Sequence, residues 1–219
     1  MPGSKAPEEE RRHQILSAAY RVAGEQGLAE TTILQVAAAA GVSPGLIIFH
    51  FKSRRQLLLA LLEELLATTT VLKADAAIAP SSTAEARLLA VLRQEIQRLT
   101  SEPDRIRLTF DYWMAGMRDD ATRRRLKAEF ARYREAFRPL AEAVLQAHPD
   151  RFPGVTADGL AGLSVSLIKG CAVQSMIDPD HFDVNEYFTA AVGLLAGAGS
   201  GVPAPGQARG AARLSAPSA

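Results

Sequence analysis

The sequence has little of what stabilises a secreted or membrane-spanning protein. Its 219 residues include one cysteine, Cys171, so no disulfide can form within the chain, which suits a reducing compartment. No apolar run reaches the roughly 18 to 20 residues that a membrane span needs. The N-terminal stretch MPGSKAPEEERRHQ is polar and has no apolar signal core. We therefore expect a cytoplasmic protein with no membrane partner.

The patterns that mark most enzymes and metal proteins are also missing. The sequence has no glycine-rich phosphate loop, no nucleophile elbow and no paired-acid site. Its four histidines are scattered, and no two of them have metal-ligand spacing on one helix. The sequence therefore predicts no catalytic residue, no metal and no cofactor, and a protein that is not an enzyme.

Apolar residues recur every three to four positions through most of the chain, which is typical of helices. Capping residues precede several of these segments, as in the box formed by Thr32 with Gln35. No segment alternates convincingly as a strand would. The sequence therefore predicts an all-α protein of about nine helices.

One part of the chain contains no acidic residue. From Thr31 to Leu62 there is no Asp or Glu, although the whole chain has 24 of them and a net charge of +1. This part includes VAAAAGVSPGLIIFHF, which predicts a helix, a glycine turn and a second helix capped by Ser43. That order is the helix-turn-helix arrangement, in which the second helix enters a DNA major groove.

Two arginines, Arg54 and Arg55, open the next predicted helix. Cations at a helix N-terminus cost a few tenths to about 1 kcal/mol each, because the helix dipole is positive there. A phosphate bound there would make the arrangement favourable, since the free N–H groups and both arginines would attract the same anion. We therefore expect a nucleic-acid backbone at this position; two solvated arginines are the alternative.

The run TTILQVAAAAGVSPGLIIFHFKSRRQLL resembles the DNA-binding domain of the TetR family of transcriptional repressors. The Thr-Thr start, AGVSPG, the HF pair, the serine that follows and the closing LL fall at the family's spacing. The sequence departs from the family at Ile48, where a tyrosine is usual. The resemblance implies a homodimeric repressor that binds a pseudo-palindromic operator in double-stranded DNA and is released by a small-molecule inducer.

Two later stretches, DYWMAGMRDDATRRRLKAEFARYREAF and LIKGCAVQSMIDPDHFDVNEYFTAAVGLL, resemble the C-terminal domain of one TetR subgroup. This subgroup includes the choline-responsive repressor of betaine synthesis. The resemblance implies a domain that binds the effector and dimerises through its last two long helices. It leaves the effector's identity open, and choline or a similar quaternary amine is the first candidate to test.

We expect four segments along the chain. Residues 1–9 form a flexible N-terminus, residues 10–55 a helix-turn-helix DNA-binding domain, and residues 56–198 a ligand-binding and dimerisation domain. The Pro-, Gly- and Ala-rich segment 199–219 is expected to be a disordered tail.

The predicted DNA contacts lie at the start of the first helix of the motif, along the recognition helix and just after it. They are Thr32, Ser43, Pro44, Gly45, Leu46, Phe49, His50, Lys52 and Arg54. Lys52 and Arg54 are expected to contact phosphates, and the apolar side chains to contact thymine methyl groups.

The predicted effector site combines a stripe of large side chains at helical spacing with an aromatic pair and one amide. Its residues are Phe110, Trp113, Met114, Met117, Tyr133, Phe137 and Gln174. Trp, Tyr and Met suit an irregular, mostly apolar pocket with a few polar groups. Plain hydrophobic core is the alternative interpretation of the same stripe.

The sequence therefore predicts a ligand-responsive transcriptional repressor. The alternative function is a helical scaffold or protein-interaction module with a degenerate DNA-binding domain. Such a module would not need an acid-free helix-turn-helix that carries arginines.

Overall fold

The computed structural model describes residues 8–67 and 82–197. Within these ranges the chain forms nine α-helices: α1 (Glu8–Gln26), α2 (Ile33–Ala40), α3 (Pro44–Phe51), α4 (Arg54–Ala67), α5 (Ala84–Thr100), α6 (Pro103–Gly116), α7 (Asp120–Ala147), α8 (Ala157–Ile177) and α9 (Val184–Gly197). The prediction of an all-α fold with about nine helices is confirmed. The predicted tail at 199–219 and most of the predicted flexible N-terminus lie outside the described residues.

Local capping explains where several helices begin. Thr32 and Gln35 form both hydrogen bonds of a capping box at the start of α2. Ser53 Oγ accepts a hydrogen bond from a backbone N–H in the first turn of α4, and Asp183 accepts two at the start of α9. Since these partners lie within three residues of each other, the helix starts could be predicted from the sequence.

Two hydrophobic clusters form the core of the described residues. The first joins α1, α2, α3 and α4 to Leu108 and Tyr112 of α6. The second lies among α5, α7, α8 and α9 and includes Ile106 of α6. Because α6 contributes to both clusters, it connects the N-terminal helices to the C-terminal bundle.

Helix α8 differs from what the sequence led us to expect. It is long and apolar enough to cross a membrane by length and composition, and so is the bent pair α2–α3 if it is counted as one span. The core helix of a soluble protein passes the same test. Since α8 packs against α5, α6, α7 and α9 and buries the charged Lys169, we interpret it as a core helix.

Candidate functional site

Helices α2 and α3 form a helix-turn-helix. They meet at 109°, within the range of about 90–120° for this motif. Gly41 ends α2 in the left-handed conformation, with φ of 64°, which favours glycine. Ser43 begins α3 by accepting a hydrogen bond from the Leu46 N–H at 3.2 Å. Ile47 and Phe51 are buried in the first cluster, so one face of α3 is fixed and the opposite face is presented outward.

The outward face of α3 brings together most of the predicted DNA-contacting residues. Thr32, Ser43, Pro44, Gly45, Phe49 and Lys52 are exposed, whereas Leu46 and His50 are half-buried. Phe49 is 65% exposed, and the Lys52 ammonium lies 5.4 Å from the centre of its ring. A large aromatic side chain with so little contact to the core is available for contacts outside the protein. Contacts of this surface with DNA stay predictions.

The structure gives Arg54 partners that the sequence did not predict. Its Nε donates to the carbonyl of Thr31 at 2.5 Å, and its Nη2 donates to the carbonyls of Leu28 at 2.6 Å and Ala29 at 2.7 Å. These carbonyls belong to the loop between α1 and α2. They offset the unfavourable position of the cation at the helix N-terminus without any phosphate, which corrects the physical argument for a phosphate contact by Arg54.

Arg55 is also paired within the protein. Its Nη2 donates to Asp119 Oδ1 at 2.7 Å. The Arg55 guanidinium and the backbone N–H of Thr122 hold the pKa of Asp119 well below its ordinary value. Lys52 and Arg55 are both exposed, and among the described residues the Lys52 ammonium donates only to the carbonyl of Phe49 in α3, at 2.9 Å, so Lys52 is the cation that accompanies the outward face of α3.

Helix α6 is hydrogen-bonded to the N-terminal helices. Asp111 Oδ2 accepts from the backbone N–H of Leu28 at 3.1 Å, and the Tyr112 hydroxyl donates to the carbonyl of Leu58 at 2.7 Å. A cavity of about 590 Å³ lies at this junction and is lined by residues of α4, α6 and the α1–α2 loop. A shift of α6 would therefore act directly on the helix-turn-helix domain.

The predicted effector residues lie in different surroundings. Tyr133 and Phe137 are almost completely buried in the second cluster, whereas Gln174 is exposed. Met114 and Met117 are 64% and 71% exposed, and Met114 lines the junction cavity. Helix α6 lies between the two clusters, so the large side chains of the stripe divide between different surroundings, and an effector site among these residues stays a prediction.

A buried cluster of charged residues lies beside the predicted effector residues Trp113 and Tyr133, and the sequence did not predict it. Glu95 of α5, Glu129 of α7 and Lys169 of α8 are at most 7% exposed. Lys169 Nζ lies 3.5 Å from Glu129 Oε1. The Tyr133 hydroxyl donates to Glu95 Oε2 at 3.2 Å, and Arg98 pairs with the same oxygen at 2.7 Å. Pairing is what makes such burial possible, since an isolated charge in a core is very costly.

Aromatic rings surround the ammonium of this cluster. Lys169 Nζ lies 4.5 Å from the ring centre of Tyr133 and 5.5 Å from that of Trp113, within the range of cation–π contacts. Burial lowers the pKa of Lys169, and the Glu129 carboxylate opposes that shift. The ring of Trp113 also packs against Phe110, with centroids 4.6 Å apart.

Two buried polar atoms near this cluster lack a hydrogen-bond partner among the described residues. They are Trp113 Nε1 and Glu129 Oε2. An unsatisfied buried polar group costs about 1–3 kcal/mol, so a molecule that bonded to either atom would recover part of that cost. One sequence signal pointed here, because Lys169 interrupts an otherwise apolar run.

Two family models match the chain. Residues 15–61 match "Bacterial regulatory proteins, tetR family", and residues 84–198 match "BetI-type transcriptional repressor, C-terminal". The chain is 29% identical over 178 residues to the HTH-type transcriptional regulator BetI of Cronobacter sakazakii. The aligned residues cover 80% of this chain and 83% of that protein. It is 50% identical over 60 residues to the HTH-type transcriptional regulator HbdR of Aromatoleum sp., covering 27% and 26% of the two chains.

Solved structures share the fold. A transcriptional regulator from Saccharomonospora viridis in complex with choline superposes with a TM-score of 0.69 at 20% identity, over 86% of this chain and 97% of that one. The transcriptional regulator FadR from Bacillus subtilis in complex with stearoyl-CoA superposes with a TM-score of 0.66 at 19% identity, over 87% of this chain and 98% of that one. The two bound molecules differ greatly, so the shared fold does not fix the ligand.

Proposed function

Because the chain belongs to the tetR family of bacterial regulatory proteins, with a C-terminal domain of the BetI type, we propose that it is a ligand-responsive repressor. It binds a pseudo-palindromic operator as a homodimer and is released by a small-molecule inducer. The family membership itself makes the chain a transcriptional regulator and not an enzyme, as the sequence predicted. We place its action in the cytoplasm.

The outward face of α3 supports operator binding. It carries no acid, it begins with the small residues Ser43 and Gly45, and it exposes Phe49 beside the cation of Lys52. Small residues allow close approach to base edges, and an apolar ring suits the thymine methyl group. We propose that these side chains read the operator while Lys52 contacts a phosphate.

Exposed apolar residues on the last two helices support dimerisation. Leu163 and Ile177 of α8 are 51% and 72% exposed, and Leu194 of α9 is 73% exposed. Large apolar side chains that are exposed on neighbouring helices are candidates for a protein interface. We propose that α8 and α9 pack against the same helices of a second copy, which places two α3 helices for successive major grooves about 34 to 36 Å apart.

The observation that carries the regulatory part of the proposal is the position of α6. Trp113 of α6 contacts the buried charged cluster, and its Nε1 has no partner among the described residues. Asp111, two positions earlier on the same helix, holds the backbone N–H of Leu28 in the DNA-binding domain. An inducer that bonds near Trp113 therefore acts on the helix that positions the helix-turn-helix.

The energetics of release set a requirement on the inducer. It must bind the DNA-incompetent state more tightly, by about 1–3 kcal/mol for a typical coupling. The coupling is reciprocal, so operator DNA must weaken inducer binding by the same factor.

The test begins with an operator selected from a random-sequence duplex pool and a screen for small molecules that release it. Trp113 is the only tryptophan in the chain, so a releasing molecule should change its fluorescence. Asp111→Ala should keep that fluorescence change but weaken release, because the link to Leu28 is lost. Asp120→Ala, which removes a carboxylate of an exposed surface pair, should release normally. Equal release in both variants would contradict the role of α6.

A further inference from the structure

The surroundings of the Lys169 ammonium are those of a binding site for an organic cation. Two aromatic rings, of Tyr133 and Trp113, lie 4.5 and 5.5 Å from Nζ. The carboxylate of Glu129 lies 3.5 Å away on α7. Aromatic faces with a nearby carboxylate are the groups that recognise alkylammonium and quaternary ammonium ligands. Here the cation is part of the chain.

We propose that Lys169 is a built-in occupant of an alkylammonium site and that it excludes cationic effectors such as choline from the C-terminal domain. The exclusion rests on the function proposed above, because it concerns that function's inducer. The occupation of the site by Lys169 does not depend on the proposed function, because the site consists of residues of α6, α7 and α8 alone.

Charge explains the exclusion. The cluster pairs Glu95 with Arg98 and Glu129 with Lys169, so its two acids are already balanced by two cations. A ligand cation about 4 Å from Lys169 would meet a repulsion that lowers affinity by roughly a thousandfold at an effective dielectric of about 20. Glu129 cannot balance both cations, because its single negative charge is already balanced by Lys169, although its Oε2 has no hydrogen-bond partner among the described residues.

Removing the lysine should open the site. Lys169→Ala deletes the atoms of a propylammonium group and leaves Glu129 unpaired beside the two rings. That variant should melt at a lower temperature than the wild type, because a buried acid loses its partner. Added n-propylammonium should restore its melting temperature, whereas 1-propanol, with a similar chain and no charge, should not.

Binding measured by calorimetry gives the size of the effect. The wild type should bind n-propylammonium and choline weakly or not at all, and Lys169→Ala should bind n-propylammonium at least about 30-fold more tightly. That lower limit counts only the cation–π contact, about 2 kcal/mol when desolvated, at 1.4 kcal/mol per tenfold, and leaves out the repulsion that the substitution removes. Lys169→Met is the matched control, since it fills the space without charge and should show no rescue. Equal rescue by 1-propanol would overturn the proposal, because a plain cavity would then explain it.

The wild type provides a test that does not require Lys169→Ala to fold. Choline that alters Trp113 fluorescence and releases the operator would overturn the exclusion and leave the repressor function standing. If no molecule releases the operator, the proposed function fails, while rescue by n-propylammonium still decides whether Lys169 occupies a cation site.

Discussion

Replacing Arg54 tests whether this residue stabilises the fold or only contacts DNA. The structure gives its guanidinium three carbonyl partners in the α1–α2 loop. The bonds to Thr31 and Leu28 are partly buried, and the bond to Ala29 is exposed. Water can replace the exposed bond at little cost, but hydrogen bonds to charged groups contribute about 1.5–3 kcal/mol each where water is restricted.

We therefore expect Arg54→Ala to lower the free energy of unfolding by about 3 kcal/mol, counting only the two partly buried bonds at the lower value. For a chain of this size that corresponds to a fall of about 6–12 °C in melting temperature. Arg54→Lys should lose most of the same stability, because an ammonium cannot reproduce the planar fork of the guanidinium. Circular dichroism at 222 nm during heating, without DNA, measures both variants.

Two control variants make the result specific. Arg55→Ala removes an exposed pair with Asp119, and its effect on the melting temperature should be small because water screens such a pair. Lys52→Ala should leave the melting temperature almost unchanged and reduce the slope of log affinity against log salt by about 0.9. If Arg54→Ala melted like the wild type and lost only DNA affinity, our account of Arg54 would be refuted and the phosphate contact restored.

Three further predictions follow from the exposed surfaces and one ion pair. Gly45→Gln should abolish operator binding in a gel shift with unchanged helix content, because a Cβ there meets nothing closer than 3.9 Å and the longer side chain projects from the recognition helix. Leu194→Asp should yield monomers in sedimentation, whereas Met117→Asp, at a similarly exposed apolar position, should stay dimeric; a dimeric Leu194→Asp would exclude α9 from the interface. Arg55 and a backbone N–H lower the pKa of Asp119, so the stabilisation by its carboxylate is complete above the unfolded-state pKa of about 4 and is lost as pH falls toward the lower folded value. Asp119→Asn should therefore melt below the wild type at pH 7, and the difference should shrink below pH 4; a constant difference would contradict the assignment.

The helix-turn-helix could be predicted because its signals are local. The capping box of Thr32 with Gln35, the turn at Gly41 and the cap at Ser43 are all satisfied by neighbours within a few residues. Such signals depend on backbone chemistry and not on the arrangement of distant segments. The same locality explains why the position of Arg54 at the start of α4 could be read from the sequence, although its carbonyl partners, at least 23 residues earlier, could not.

The buried charged cluster could not be assembled from the sequence. Its hydrogen bonds join residues 38 and 40 positions apart, on three different helices. Periodicity reveals that Lys169 lies in an apolar helix, but it does not reveal which acid faces it. The surroundings of the effector stripe could not be predicted for a related reason, since spacing on α6 defines the surface of the helix but not which of the two clusters covers each part of it.

The most direct test of the account is fluorescence anisotropy of a labelled operator duplex, selected from a random pool, titrated with the full chain at physiological salt. We expect two chains per duplex and an affinity at least about 1,000-fold higher than for a random duplex of the same length. Equal affinity for the two duplexes, or tight binding of one chain to the full operator, would contradict a dimeric, sequence-specific regulator.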